Sequence, residues 1–539
     1  MPTKPLSFAT TSAFEILGPI MVGPSSSHTA GALRCARVAA TLLEGEPTHV
    51  TFTLWNSFAH TYRGHGTDRA LVAGVLGLDT DDERIRDAFS LAEERGLDYK
   101  FVIGGDDPSI HPNTVDIALE SSKGSSCNVR GESLGGGKMR ISAINGVHVE
   151  ISGLYTTLFV AHLDAPGALA ALTGALAEAH MNIAFCRTYR TEQGGHAYSV
   201  FETDGAPQHG VLPIVRSLDL VTYATFIELP GSVTTLGPGI SVPDLFDDAA
   251  QLLQACAEHD LSIGHVMRMR EERMVGADRA RHCMERVIEV MHEETTKPLV
   301  DPQRSLGGFL NGEAQCVHHG SALHAPSLLG STQTEAVARA MAVLERSATM
   351  GVIVAAPTAG SAGVVPGCVL AVAPKLAHDR DAIDAMTEEA LYCAAAVGLI
   401  LSTSACVAGA EGGCQAEVGS AAAMAAAALV QMHGGTPAQA LDAASITLSN
   451  LLGLVCDPVG GLVEVPCQNR NAIGVAAAFT SAQLALSGVH ALVPLDEMAK
   501  VMLNVGHALP SSLRETAKGG IAVAPSALRA CDRCGMRMA

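Results

Sequence analysis

The feature that most constrains the fold is a change of composition near residue 243. Before it, short runs of β-branched and aromatic residues alternate with helical stretches. After it, Ala, Leu, Met and Gly dominate and the alternation typical of strands fades. Apolar residues at helical spacing over the rest of the chain predict a large all-α C-terminal domain. The helical patterns cover 245–270, 275–295, 333–348, 383–405, 416–432, 437–452, 471–488 and 495–509.

The part before this change divides into two further regions. Strand-like runs at Thr48–Trp55 and Tyr99–Ile103 alternate with a helical stretch at Gly31–Leu43, which predicts an α/β N-terminal domain. The next region has the order strand, helix, strand, strand, helix, strand, which is the plan of a ferredoxin-like α+β fold. A stretch containing Gly and Pro then predicts a linker. The predicted boundaries are 1–150, 151–230, a linker at 231–242, and 243–539.

Charge and hydropathy exclude several classes of protein. The net charge of −20 opposes binding to a phosphate backbone, so we expect no nucleic-acid partner. The Ala-rich stretch near 420–430 is followed by Gln431, His433 and Gly434, which predicts a buried helix and no membrane span. The segment Met1–Ala13 lacks the continuous apolar run of a secretory signal. We therefore expect a cytoplasmic chain, in which 14 Cys do not form a disulfide framework.

Three cysteines differ from the rest. We interpret most of the remaining cysteines as small buried side chains. Cys414, Cys456 and Cys467 each lie beside Gly, Pro or both. Such residues leave backbone N–H groups free to stabilise a thiolate or a cluster sulfide. Three thiolate ligands on a four-iron cubane would leave one iron open to substrate. The alternative is three buried, unreactive thiols, and the spacing matches no short zinc motif.

A separate pair, Cys531 and Cys534, has C-x-x-C spacing near the end of the chain. The simplest interpretation is two inert thiols. The alternatives are an exchangeable cluster ligand or a redox pair.

Two polar segments in the first domain predict binding and catalysis. The run Gly23–Thr29 places three hydroxyls, a His and a Thr before a helix, an arrangement that suits a carboxylate. The alternative is an elaborate helix cap. His65 lies between two glycines, which let a ligand approach closely, and it is either a general base or a structural residue of a turn.

A third polar segment, Ala356–Gly363, precedes an apolar helix in the C-terminal domain. Its hydroxyls and amides suit a carboxylate or a phosphate, and the alternative is a plain turn into the helix. It is not a Walker A loop. The sequence also contains no G-x-G-x-x-G motif with a downstream acid, so it does not predict a dinucleotide site.

Together these segments resemble the bacterial iron–sulfur L-serine dehydratases. The resemblance covers most of the chain and rests on seven motifs in order: Gly23–Thr29, Gly64–Asp68, Gly131–Gly137, Ala356–Ser361, Gly409–Gly419, Leu454–Gly461 and Leu509–Thr516. The region 151–230 is similar to an ACT domain, through Asp164–Thr173 and Asn182-Ile183.

The resemblance implies an activity, a cofactor and a set of site residues. The activity is conversion of L-serine to pyruvate and ammonia, in amino-acid catabolism that supplies gluconeogenesis, on a [4Fe–4S] cluster in a site between the first and the helical domains. It implies a homodimer and an amino-acid effector at the ACT domain. The implied cluster ligands are Cys414, Cys456 and Cys467. The implied catalytic residues are His65, as the base, with Ser26 and His28; the implied substrate-binding residues are Ser25, Ser27, Thr29, Gly66, Thr67, Thr358, Ala359, Gly360 and Ser361.

The segment 305–325 departs from the family pattern, because it carries Cys316, His318, His319 and His324. These residues either bind a metal or form a solvated loop. Other functions also stay open at this stage. They are a cluster-dependent lyase for L-threonine or L-cysteine, a non-catalytic amino-acid sensor, and a thiol–disulfide enzyme using the terminal cysteine pair.

Overall fold

The computed structural model describes residues 11–205, 207–208, 210–229, 245–320 and 327–534. The predicted linker 231–242, His324 and the side chain of Cys534 lie outside the described residues.

The first domain is an α/β unit built on a six-stranded sheet of order β3-β2-β4-β5-β6-β7. Strands β2 and β3 are parallel, joined by helices, and the other neighbours are antiparallel. Val50, Phe52 and Leu54 of β2 are buried, as the alternation of a half-buried strand requires. The strands are β1 Ile20–Val22, β2 Pro47–Trp55, β3 Asp98–Gly105, β4 Thr114–Ser121, β5 Ser126–Gly135, β6 Lys138–Ile144 and β7 Val147–Ile151; the helices are α1 Ala13–Ile16, α2 Ala32–Leu42, α3 Asn56–Thr61, α4 Thr67–Val75 and α5 Ala88–Glu94.

The second region has the predicted ferredoxin-like fold. Its four antiparallel strands have the order β11-β8-β10-β9. Alternate residues of β8 serve two cores: Leu158 and Val160 pack under the two helices, while Phe159 packs against the first domain. The elements are β8 Thr156–Leu163, α6 Ala168–Glu178, β9 Ile183–Arg190, β10 His196–Thr203, α7 Val211–Arg216 and β11 Val221–Ile227.

The C-terminal region is helical, and its helices surround the Ala-rich α16. Small side chains let α13, α14, α17 and α18 pack closely on this helix, and almost every residue of α16 is buried. The helices are α8 Ala249–His259, α9 Ile263–Val275, α10 Ala277–Val300, α11 Glu313–His319, α12 Gly330–Ala348, α13 Val364–Leu376, α14 Arg380–Ser404, α15 Gly409–Gly412, α16 Ser420–Met432, α17 Pro437–Leu451, α18 Cys467–Leu486, α19 Leu495–Ala508 and α20 Pro525–Cys534.

Two features of this region differ from the sequence prediction. The single helix expected at 245–270 is interrupted, because Asp260 adopts a left-handed conformation with φ 52° and Ser262 caps a new helix. A short strand, β12 (Val352–Val354), pairs antiparallel with β1 of the first domain. Within the described residues from 245 onward, the C-terminal region is therefore helical apart from one strand.

One described helix, α14, is long and apolar enough to cross a membrane by length and composition alone. In its most apolar window 72% of the residues are buried inside the protein. This burial is typical of a core helix, and it matches the packing of α14 on α16.

The start of the described chain joins the first domain to the helical region. Ser12 caps α1 and donates a hydrogen bond to the buried Glu271, which also accepts from the backbone N–H of Ala13 at 2.8 Å. Phe14 packs edge-on against Tyr392 of α14. Together with the β1–β12 pairing, these contacts fix the two regions against each other.

The packing of α1 on α14 generates a stability prediction. A Cβ added to Gly398 of α14 would collide with Ile16 and approach Met424 to 3.0 Å. We expect Gly398→Ala to lower the free energy of unfolding by about 1–3 kcal/mol, as overpacking does. The matched control is Gly174→Ala in α6, where a Cβ meets no atom within 4 Å. This substitution should raise stability by about 0.5–1 kcal/mol. Denaturant unfolding of both variants measures the difference, and equal effects would contradict the packing.

Candidate active site

A cavity of about 810 Å³ lies between the first domain and the helical region. Three polar segments predicted from the sequence meet there: Gly23–Thr29, the turn at His65 and Ala356–Gly363. The sequence-predicted residues on its wall are Ser25, Ser26, Ser27, His65, Thr358, Gly360, Cys414, Cys456 and Cys467.

The three thiols reach this cavity from separate elements. Cys414 precedes a π-helical turn that leads into α16, Cys456 lies in the loop after α17, and Cys467 is the first residue of α18. All three are buried. Burial and the nearby Glu417 raise the pKa of Cys414 to about 12. Burial also raises the pKa of Cys456 and of Cys467 well above the usual value, and the neighbouring thiols and carboxylates raise both further.

This donor set fits a metal cluster. Without a cation the three thiols stay protonated, because each thiolate would be desolvated and would repel the others. Arg470 is the positive charge that acts on Cys414 and Cys467, and its guanidinium is held by Asp457 at 2.7 Å. A cationic group bound to all three sulfurs would offset the cost of burying them as thiolates.

The Ser-rich loop has a defined local structure. Ser25 precedes a π-helical turn, Ser26–Gly31, and its hydroxyl accepts the backbone N–H of His28. The hydroxyls of Ser25 and Ser27 also lie 3.3 and 3.0 Å from Nδ1 of His28. Nε2 of His28 is 2.9 Å from the hydroxyl of Ser57. The loop therefore combines the capping of a helix with a network that fixes the imidazole of His28.

His65 lies on the cavity wall with neither ring nitrogen hydrogen-bonded among the described side chains. Its ring centroid is 4.3 Å from that of His28. Burial lowers the pKa of His65 to about 4, and burial together with His65 lowers that of His28 well below the usual value. Both imidazoles are therefore neutral near pH 7, and His65 has a free nitrogen that could accept a proton.

Several predicted site residues lie behind the wall. Thr29 donates a hydrogen bond to the carbonyl of His65 at 2.8 Å, so it holds the turn and does not line the cavity. Gly66 has φ 68° and sits against Met350, which leaves no room for a side chain. The remaining predicted residues off the wall are His28, Thr67, Ala359 and Ser361. For these six, direct contact with a substrate stays a prediction that the cavity geometry does not favour.

The 356–361 loop is tied to the cysteines. The hydroxyl of Thr358 donates to Glu417 at 2.9 Å, and an oxygen of Glu417 lies 3.9 Å from the sulfur of Cys456. The side-chain amide of Asn471 donates to the carbonyls of Gly360 and Cys467 at 2.8 and 3.0 Å. One buried amide thus fixes the loop against the helix that carries the third thiol.

Comparison with known protein families matches three successive regions of the chain. Residues 12–141 match the serine dehydratase beta chain family, residues 155–219 the ACT domain and residues 258–522 the serine dehydratase alpha chain. The L-serine dehydratase of Streptomyces coelicolor is 30% identical over 530 residues, which cover 95% of this chain and 98% of the relative. The chain belongs to the serine dehydratase family.

Other members of the serine dehydratase family are similar over the whole chain or over part of it. L-serine dehydratase 2 of Escherichia coli is 28% identical across 97% of this chain and 100% of its own length. The L-serine dehydratase alpha chain of Peptoniphilus asaccharolyticus is 42% identical over 52% of this chain and 94% of its own length. In this family member the Ser-rich loop and His65 lie in the beta-chain region and the three thiols in the alpha-chain region. The cavity therefore forms where the two regions meet.

Sequence reasoning missed three groups on the wall of this serine dehydratase cavity. Glu417 and Glu515 are buried carboxyls whose pKa values are raised to about 7 and about 8, mainly by burial. Cys406 is a fourth thiol on the wall, and it lies beside Glu411. The motifs Gly409–Gly419 and Leu509–Thr516 contain both carboxyls. Reading the acids of these motifs as site residues could have found them.

The described part of the His-rich segment, up to Gly320, does not line the cavity. His318 pairs with Glu335 of α12 at 2.9 Å, which ties α11 to the surface of the helical region. At the far end of the chain, Cys531 is buried beside Gly460, in the loop that follows Cys456.

The environment of His65 predicts a pH-dependent stability. Its pKa is about 4 in the folded protein and ~6.5 in an unfolded chain. Between these values the unfolded chain binds more protons, so the free energy of unfolding falls as the pH falls, by up to ~3 kcal/mol. The raised pKa values of Glu417 and Glu515 act in the opposite direction, so the contribution of His65 is isolated by substitution.

We expect His65→Gln to lose less stability than the parent protein between pH 6.5 and 4. Melting temperatures of the two proteins across that range measure the difference. Parallel curves would show that His65 carries no depressed pKa.

Proposed function

We propose that this chain is an iron–sulfur L-serine dehydratase (L-serine ammonia-lyase), with a [4Fe–4S] cluster held by Cys414, Cys456 and Cys467. The observation that carries the proposal is the meeting of three buried thiols and a neutral histidine on the wall of one cavity. The names of the relatives support the activity, and the donor set supports the cofactor.

The residues of the chain supply substrate binding and proton transfer. When bound, a cluster held by the three cysteines would supply one open iron as a Lewis acid for the substrate hydroxyl, which would make hydroxide a better leaving group. Hydroxyls of Ser25, Ser26 and Ser27 donate hydrogen bonds to the substrate carboxylate and stabilise the negative charge that develops as the α-proton leaves. His65 accepts that proton on a ring nitrogen.

The products follow from the elimination. Loss of the α-proton and of hydroxide leaves 2-aminoacrylate, and its tautomer is hydrolysed to pyruvate and ammonia. The elimination releases one water and the hydrolysis consumes one, so the net reaction consumes L-serine alone. The reacting atoms would lie between walls from two domains, where electrostatic contacts are stronger than in bulk water.

The ACT region supplies a second, separate pocket of about 330 Å³. It is lined by the turn before α6 and the start of β11, including His162, Gly167, Ala168 and Val221. An amino-acid effector, with L-serine as the first probe, fits this part of the proposal. We expect a homodimer in solution, which sedimentation velocity measures.

The cluster proposal is tested on protein purified without air. We expect brown protein that forms pyruvate from L-serine and loses this activity on exposure to air. Cys456→Ser should lose bound iron, and activity should fall by more than the ~10- to 100-fold typical of changes behind a metal ligand. The control is Cys283→Ser, a half-buried thiol of α10 away from the cavity. Full activity of Cys456→Ser, or air-stable activity without iron, would rule out this mechanism.

A substrate panel separates the related activities. L-threonine and L-cysteine present the same carboxylate and ammonium with a different leaving group or an added methyl. A higher kcat/KM for either than for L-serine would reassign the substrate and keep the cluster. Binding of L-serine without turnover by iron-loaded protein would favour an amino-acid sensor.

The effector pocket has its own test. Ala171 is exposed on the pocket wall, so Ala171→Phe fills the pocket without disturbing a core. We expect this variant to bind one fewer L-serine per chain than the parent, measured by equilibrium dialysis on iron-free protein, which does not consume the ligand. An unchanged stoichiometry would contradict an effector site here.

A further inference from the structure

The proposed mechanism leaves one charged group of the substrate without a partner. The hydroxyls of the Ser-rich loop take the carboxylate, and the α-ammonium needs an acceptor within hydrogen-bond distance. The α-carbon carries both the ammonium and the proton that His65 removes. The acceptor must therefore lie close to His65.

Among the described residues, Glu515 meets this condition. One carboxylate oxygen of Glu515 and one ring nitrogen each of His28 and His65 all lie within 4.8 Å of one another. The Glu515 side chain is 11% exposed and lines the cavity, and Nδ1 of the neutral His28, at 3.9 Å, is the one basic group within 4.0 Å of it in the described parts of the chain. The Glu515 carboxyl thus faces the proton-accepting side of the cavity with no full positive charge beside it. An ammonium bound there would favour the ionised carboxylate, which burial alone disfavours.

The backbone holds Glu515 in a fixed position relative to the thiols. Its N–H donates to the carbonyl of Cys456 at 2.8 Å, and the N–H of Cys456 donates to the carbonyl of Leu513 at 2.9 Å. Glu515 itself is left-handed, with φ 59°, a conformation that is strained for a residue with a Cβ. A strained backbone that is kept in place by its surroundings is typical of functional positions.

The other carboxylates on the wall are less suitable. Glu417 accepts from Thr358 and lies 3.9 Å from the sulfur of Cys456, so it faces the thiols, where the substrate hydroxyl would bind. Asp106 pairs with His60 at 2.7 Å and with Lys518 at 3.7 Å. Glu411 pairs with His507 at 3.4 Å and is 38% exposed, and Glu15 pairs with Lys138 at 2.5 Å.

We propose that Glu515 binds the α-ammonium of the substrate, which makes the site specific for α-amino acids over hydroxy acids that lack the amino group. This assignment rests on the proposed function. Its three contacts would be the Ser-rich loop with the carboxylate, Glu515 with the ammonium, and the cluster side of the cavity with the hydroxyl. Three contacts around one carbon also distinguish the L from the D enantiomer.

The test compares two ligands that differ in the ammonium and cannot be dehydrated. L-Alanine has the carboxylate and the ammonium of serine, and propanoate has the carboxylate alone. Dissociation constants are measured by calorimetry on the iron-loaded protein, in the Ala171→Phe background so that the ACT pocket does not contribute. We expect Glu515→Gln to weaken L-alanine by about 10- to 100-fold, as loss of a charge-assisted hydrogen bond does, and to leave propanoate within about threefold.

The control is Glu411→Gln, a carboxylate on the same wall that should leave both ligands unchanged. Propanoate binding also reports that the Glu515→Gln site is folded. Equal weakening of both ligands, or of neither, would overturn the assignment. Failure of the proposed function has a different signature, because the parent protein would then form no pyruvate from L-serine whatever the ratio of the two ligands.

Discussion

Burial of several acidic groups around one cavity is the constraint on which the rest of the structure depends. Three thiols and the carboxyls of Glu417 and Glu515 share a region where desolvation raises every pKa. The Arg470 guanidinium opposes this rise for Cys414, Cys467 and Glu417. In low dielectric such a group of potential anions is tolerated only while most of them stay protonated. The fold therefore has to hold these groups in position while they are protonated, and the proposed cluster, as a cationic group, would complete the site.

The scaffold solves this problem by bringing short, rigid segments to the cavity from both halves of the chain. The β1–β12 pairing ends immediately before the Ser-rich loop on one side and the 356–361 loop on the other. Asn471 then joins the second loop to Cys467. Hydrogen bonds thus fix the backbone within a few residues of these loops. Such fixed positions are what preorganisation of a site requires.

The sequence alone predicts the domain order, the ferredoxin-like unit and most of the helices, because long periodic patterns report burial directly. It does not predict β12, which is three residues long and owes its conformation to a partner in another domain. The break at Asp260 depends on one left-handed residue inside a helical pattern. Cys414, Cys456 and Cys467 can be recognised in the sequence because glycine and proline lie beside them. Glu515 does not, because its position follows from backbone pairing with Cys456, which no local pattern records.

The relatives named as alpha and beta chains each match one half of this molecule, and the cavity lies on the seam between those halves. In a two-chain enzyme such a seam closes only at protein concentrations above the dissociation constant of the pair. Here the two halves belong to one chain, so closure is intramolecular, with an effective local concentration of order millimolar. Dilution of the protein therefore does not separate the two walls of the site.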